Sequence, residues 1–146
     1  MAVLKILKTD PRAVLPKYET EFAAGMDLRA LINADICIPP LGRIKIPTGL
    51  RFEIPEGYEG QVRPRSGLAI NCGLTVLNSP GTIDSDYRGD IEIILINLSG
   101  SDVIIKDGQR IAQLIIAPVC RADIKETDSL APSGRGSGGF GSTGVQ

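Results

Sequence analysis

Between Gly81 and Asp90 the chain reads GTIDSDYRGD, with three aspartates, a tyrosine and an arginine in ten residues. A carboxylate held near a phosphate can activate a water as general base. It can equally hold the water ligands of a metal. In an extended segment Asp84 and Asp86 leave one side, and Ser85 and Tyr87 the other. The plainer alternative is a charged hairpin end with Tyr87 half buried. Asp27 is a further candidate carboxylate.

VRPRSGLAI places Arg63 and Arg65 around a proline, with Ser66 opening a short apolar run. Ser66 can cap a short helix, LAI can make a turn of it, and Gly73 can stop it. Unpaired amides at a helix start, beside an arginine and a hydroxyl, suit phosphate oxygens. A capped surface turn with two solvated arginines explains the same letters. The C-terminus, APSGRGSGGFGSTGVQ, has six glycines in sixteen residues. Its GRGSGG matches a dinucleotide fingerprint by letter only, since no strand precedes it and no helix follows. GSGGFGST has Ser142 where a phosphate loop needs lysine. The segment is either a disordered tail or a flap whose amides, Arg135 and Phe140 meet a nucleotide.

Composition narrows the chemistry. The chain has 146 residues and no histidine, which removes Ser-His-Asp and Cys-His catalysis and the usual zinc sites. Any general base is then a carboxylate, lysine or tyrosine. The formal net charge of −1 gives no reason to expect a nucleic-acid-binding face. Cys37, Cys72 and Cys120 are scattered, which predicts reduced, buried thiols in a cytoplasmic protein. No signal peptide or membrane span is expected.

The elements that must position these residues read as strands. RIKIP (43–47), LRFEIP (50–55), GQVRP (60–64), DIEIILIN (90–97), DVIIK (102–106) and RIAQLIIAPV (110–119) are short, with period two. PPLG, IPTG, IPEG, NSPG and LSG read as turns. An all-β sandwich or barrel with one short helix over 66–73 is expected. The expected organisation is a β domain over 1–130 and a flexible arm over 131–146.

Five stretches in order resemble the motifs of the trimeric dUTP diphosphatases: AAGMDLRA (23–30), RPRSGLA (63–69), LNSPGTIDSDYRG (77–89), GQRIAQL (108–114) and RGSGGFGSTG (135–144). The resemblance implies a jelly-roll-like β fold, a homotrimer with shared active sites, and a fifth motif that closes over nucleotide. It implies hydrolysis of dUTP to dUMP and pyrophosphate with Mg²⁺. Carried onto this chain, Asp84 would be the general base toward a water attacking the α-phosphorus, and Asp27 would place metal-bound waters. Arg65, Ser66 and Gly67 would hold phosphates, with Gln113 adding a polar contact. Tyr87 would pack on the deoxyribose and Asn78, with its hairpin backbone, would read uracil. Arg135 would meet the γ-phosphate, Phe140 would cover the base, and Gly141, Ser142 and Thr143 would complete the flap. Asp86 and Asp90 receive no role beyond surface or subunit contacts. A dCTP deaminase-like or bifunctional enzyme, and a non-catalytic nucleotide-binding trimer, are the alternatives.

Overall fold

The alternation of DIEIILIN is that of a half-buried strand. In the computed structural model, which describes residues 2–139, it forms β8 (Asp90–Asn97), with Ile91, Ile93, Leu95 and Asn97 turned inward. The other strands among the described residues are β1 (Lys5–Lys8), β2 (Met26–Arg29), β3 (Ile36–Ile38), β4 (Arg43–Glu53), β5 (Tyr58–Arg63), β6 (Leu74–Val76), β7 (Gly81–Ile83), β9 (Val103–Ile105) and β10 (Arg110–Pro118). One helix, α1 (Ser66–Cys72), follows β5. Two open four-stranded sheets have the orders β1-β4-β8-β6 and β2-β10-β5-β7, and a β3-β9 ribbon stands beside them. Every pairing is antiparallel. One apolar core takes Ile46, Leu50 and Phe52 from the first sheet and Leu28, Ala112 and Leu114 from the second. The expected all-β fold with one short helix is therefore present, as a sandwich rather than a closed barrel.

The structure corrects four expectations. IPTG is not a turn between two strands. β4 runs through it, with Pro47 opposite Glu92 and Arg51 opposite Asp90, so three residues face Ile91 alone. The Thr48 hydroxyl donates to the Ile91 carbonyl at 2.7 Å and satisfies that acceptor inside the core. The strand carries two extra residues there, an even number. Side-chain phase is kept, and Ile46, Thr48, Leu50 and Phe52 all stay buried. Ser66 does not cap α1. Arg65 holds the capping position with extended φ −96° and ψ 129°, without a side-chain cap, so Ser66 is already helical. Gly73 does end the helix, at φ 62°. The cysteines are not buried: Cys37 and Cys120 are exposed and Cys72 is half-buried, all as free thiols. Strands β1, β2, β3, β6 and β7, three or four residues each, lie outside the segments that alternation marks. No helix among the described residues is long and apolar enough to cross a membrane.

Asn97 is the buried polar knot. Its Nδ2 donates to the Ile38 and Ser101 carbonyls at 2.8 and 2.7 Å, and its Oδ1 accepts from the Ser99 amide and hydroxyl at 2.9 and 2.7 Å. All its bonding capacity toward these neighbours is used, which ties β8 to the ribbon. An apolar side chain of similar size would take this partner from the Ile38 carbonyl and the Ser99 amide, while the Ser99 hydroxyl still reaches the Ser101 carbonyl at 2.9 Å. Asn97→Leu is expected to lower unfolding free energy by about 2–4 kcal/mol in urea titrations, given ~1–3 kcal/mol per orphaned polar group. A loss below ~0.5 kcal/mol, the range of neutral surface changes, would remove this role.

Candidate active site

The hairpin joining β6 to β7 builds one half of the site. The Leu77 amide donates to the Ile94 carbonyl at 2.9 Å, and the Ser79 amide to the Val76 carbonyl at 3.3 Å, which fixes the turn before Gly81. The Asn78 side chain lies over Gly81, where an added Cβ would stand 3.1 Å from Nδ2. After β7 the chain does not stay extended. The Tyr87 amide donates to the Asp84 carbonyl at 3.1 Å, so residues 84–87 reverse. The expectation that Asp84 and Tyr87 leave opposite sides fails for that reason. Asn78, Asp84 and Tyr87 line one cavity of about 240 Å³, whose floor includes Val62 and Ile83. Asp84 also borders a broader hollow of about 970 Å³, with Asp86, Glu59, Arg88 and Arg121 around it.

Tyr87 is seated by its neighbours. Its hydroxyl donates to the Asp90 carbonyl at 3.2 Å. Its ring covers Gly89, where a Cβ would fall 2.3 Å from Oη and 2.5 Å from Cζ. Only glycine leaves the ring in that place. Asp90 is fixed in turn by Arg51, which donates through Nε and Nη2 at 2.8 and 3.2 Å. That hydrogen bonding from Arg51 holds the Asp90 carboxyl below its ordinary range. Asp90 is thus a brace for the tyrosine loop, and Asp86 is an exposed wall of the broader hollow.

The second half gathers on the outward face of the β2-β10-β5-β7 sheet. Asp27 on β2 stands opposite Gln113 on β10, which stands opposite Arg63 on β5. The Asp27 carboxylate, 16% exposed, is gripped from both sides. Arg65 Nε donates to Oδ1 at 2.9 Å, and Arg110 donates through a terminal nitrogen to Oδ2 at 3.0 Å. Gln113 Nε2 donates to the Pro64 carbonyl at 2.9 Å, which anchors the segment carrying Arg65. The Gln113 side chain passes over Gly25, where a Cβ would come within 2.5 Å of Oε1. Ser66 and Gly67 follow on the exposed first turn of α1, and a Cβ at Gly67 would meet nothing within 4 Å. Arg63 turns instead to Gln61.

The two halves stand apart within one chain. Ile83, just before Asp84, pairs with Gly60 within β5, five residues before Arg65, and Gly81, beneath Asn78, pairs with Val62. Five residues of nearly extended chain span roughly 16 Å. Asn78, Asp84 and Tyr87 are brought together, and so are Asp27, Arg65 and Gln113, but neither group touches the other. Arg135 joins neither. Its Nε donates to the Gly138 carbonyl at 2.8 Å within a turn of the arm, where residues 119–139 hold no strand or helix. Phe140, Gly141, Ser142 and Thr143 lie outside the described residues. Sequence reasoning gave no role to Arg110 or Gly89, although both lie inside quoted stretches. For Gly89 the signal is a glycine two residues after an exposed aromatic. For Arg110 no periodicity reveals it.

A hydrolase-like pairing of a carboxylate-edged cavity with a cationic cluster, on an all-β sandwich, is what fold and site define. The sequence pattern of the dUTPase family matches residues 12–144, and the chain belongs to that family. It is 58% identical over 137 residues to the deoxyuridine 5'-triphosphate nucleotidohydrolase of Chlamydia pneumoniae, covering 93% of this chain and 94% of that one. With the protein of that name from Rhizobium etli (strain CIAT 652) it shares 56% identity over 133 residues, covering 90% and 85% of the two chains. Among solved structures, a mutant dUTPase of Staphylococcus bacteriophage 80alpha with dUpNHpp superposes at a TM-score of 0.84 and 26% identity, covering 98% of this chain and 99% of that one.

Proposed function

We propose that the chain hydrolyses dUTP to dUMP and pyrophosphate, so that it lowers dUTP and supplies the dTMP precursor. The observation that carries this reading is the small cavity holding Asn78, Asp84 and Tyr87 side by side. Relatives of more than half identity that carry the nucleotidohydrolase name support it. Asn78 and the hairpin backbone read the uracil edge. A fixed donor and acceptor leave cytosine's reversed pattern unpaired, which rejects it by several kcal/mol. Tyr87, seated on Gly89, fills the place a 2′-hydroxyl would need. Asp84 orients a water and takes its proton as that water meets the α-phosphorus, and the leaving pyrophosphate remains with the cationic cluster. Arg65, Ser66 and Gly67 hold phosphate oxygens there.

Magnesium fits this site only as a passenger of the triphosphate. Both Asp27 oxygens already accept from guanidinium groups, and no group of three or more potential ligand residues exists among the described residues. Asp27 keeps lone pairs for an ion's water but cannot form a coordination shell. When bound, the ion would neutralise phosphate charge. The phage phi11 dUTPase is described with a structural Mg(II) ion, in a likeness that speaks for fold alone.

That the two halves make no contact within one chain favours a homotrimer, in which one copy's cavity faces another's phosphate cluster. The exposed arm, with Ile124 at 93% and Leu130 at 87% exposure, supports passage onto a neighbour and closure of the fifth motif there. Free thiols at Cys37, Cys72 and Cys120 favour the cytoplasm.

Pyrophosphate release measured with dUTP, UTP, dCTP and dTTP, with and without Mg²⁺, tests the reading; turnover of dCTP with ammonia release would overturn it. Asp84→Asn is expected to keep nucleotide binding while kcat falls by ~10²–10⁴, the usual worth of a general base. An unchanged kcat ends that assignment. Gly89→Ala is expected to push the tyrosine ring aside and lower kcat/KM for dUTP about tenfold or more, with dUTP-to-UTP preference reduced, because misplacement of ~1 Å can cost ~10² in rate. Equal kinetics on both substrates as in wild type would detach Gly89 from sugar reading. Truncation before Gly134 is expected to leave the fold and assembly intact by circular dichroism and light scattering, yet cripple hydrolysis. Full activity of the truncated chain would dismiss the flap.

A further inference from the structure

Arg110 faces the wrong way by simple alternation. Ala112 and Leu114 of β10 are buried, and a residue two positions before Ala112 would share their face. The pairing with β2 shows why it does not. Ala112 stands opposite Leu28 and Arg110 opposite Arg29, with Ile111 inserted between them. One extra residue exchanges the two faces of the strand beyond it. Ile111 is therefore 1% exposed, next to a fully buried Ala112, and Arg110 emerges on the Asp27 side. An unbulged β10 would place Arg110 opposite Ala30, which is 2% exposed in the core.

We propose that Arg110 is a positioning residue of the phosphate-binding end: the bulge at Ile111 delivers its guanidinium to the second oxygen of Asp27, and this fixes Arg65 across the same carboxylate. The inference rests on the dUTP reading and adds a residue to it. Stability does not account for the arrangement. The bulge interrupts a ladder, and an ion pair whose arginine is 42% exposed returns little in water. Geometry accounts for it better. A carboxylate bonded by one arginine can rotate and let that arginine swing, whereas one bonded at both oxygens cannot. Arg65 Nη1 also reaches the Arg110 carbonyl at 3.4 Å, so the same bulged residue meets Arg65 through its backbone as well. The three groups carry a net charge of one positive unit, which suits a polyphosphate.

The test compares ligands that share the nucleoside but differ in phosphates. Affinities of dUpNHpp and dUMP are measured by calorimetry for wild type, Arg110→Gln, Arg110→Lys, Asp27→Asn and the Asp27→Asn/Arg110→Gln double variant, with Tm for each. Arg110→Gln is expected to weaken dUpNHpp by about tenfold or more, the worth of a charge-assisted hydrogen bond, with dUMP within about twofold. Arg110→Lys should recover part of the loss, since it keeps charge but not the fork. In the Asp27→Asn background the Arg110→Gln loss should nearly vanish, because the two act as one unit. Unchanged dUpNHpp affinity overturns the inference. So does an equal loss for both ligands, which marks a folding defect, and so does additivity in the double variant, which marks Arg110 as an independent contact. Wild type that binds neither ligand sinks the dUTP reading itself, and the inference falls with it.

Discussion

A β-strand has two faces, and the count of residues between paired positions decides which face each side chain takes. On this sandwich that parity governs the outward surface of the β2-β10-β5-β7 sheet. Asp27, Gln113 and Arg63 share it because they stand directly opposite one another. Leu28, Ala112 and Val62 take the other face and close the core. The irregularity in β4 inserts two residues and leaves parity unchanged, so burial continues through Thr48. The irregularity in β10 inserts one and reverses it. The sandwich thus keeps its core continuous along a strand of one sheet and changes the surface chemistry of a strand in the other.

Alternation in the sequence exposed β5, β8, β9 and β10 because each has enough residues, or enough branched apolar ones, for period two to register. It also exposed both halves of β4, but broke them at Pro47-Thr48-Gly49, since proline and glycine signal a turn locally while the neighbouring β8 decides otherwise. Strands such as Met26–Arg29 are too short to show a period. They exist because tertiary pairing holds them, a force that does not reside in four letters. The position of Ser66 failed for a different cause: the serine preference for caps is weaker than the placement of Arg65 by its bond to Asp27.

The site was legible by residue type more than by geometry. The absence of histidine directed attention to carboxylates, and Asp27 and Asp84 do stand in the two halves. What a linear reading cannot provide is the fold of the loop at 84–87, where one backbone hydrogen bond puts Asp84 and Tyr87 on a common cavity. It also cannot reveal that Gly25, Gly81 and Gly89 serve side chains other than their own. Each leaves the volume that Gln113, Asn78 or Tyr87 occupies.

The separation of the halves has a mechanical origin. β5 is shared by both halves: Gly60, Gln61 and Val62 pair with β7 beside the cavity of Asn78, Asp84 and Tyr87, and Arg63 leads through Pro64 to Arg65. No rearrangement of side chains shortens a paired strand, because the ladder to β10 runs from Tyr58 to Arg63 without interruption. In the proposed reading, a water aligned by Asp84 on the α-phosphorus needs the remaining phosphates close by. Asp84 follows Ile83, which is held opposite Gly60, five residues along the chain from Arg65. In the proposed reading, assembly of copies follows from this rigidity: the cluster that serves a given cavity must come from a neighbouring chain, and the braces on Asp27 and Tyr87 preset each half before the two meet.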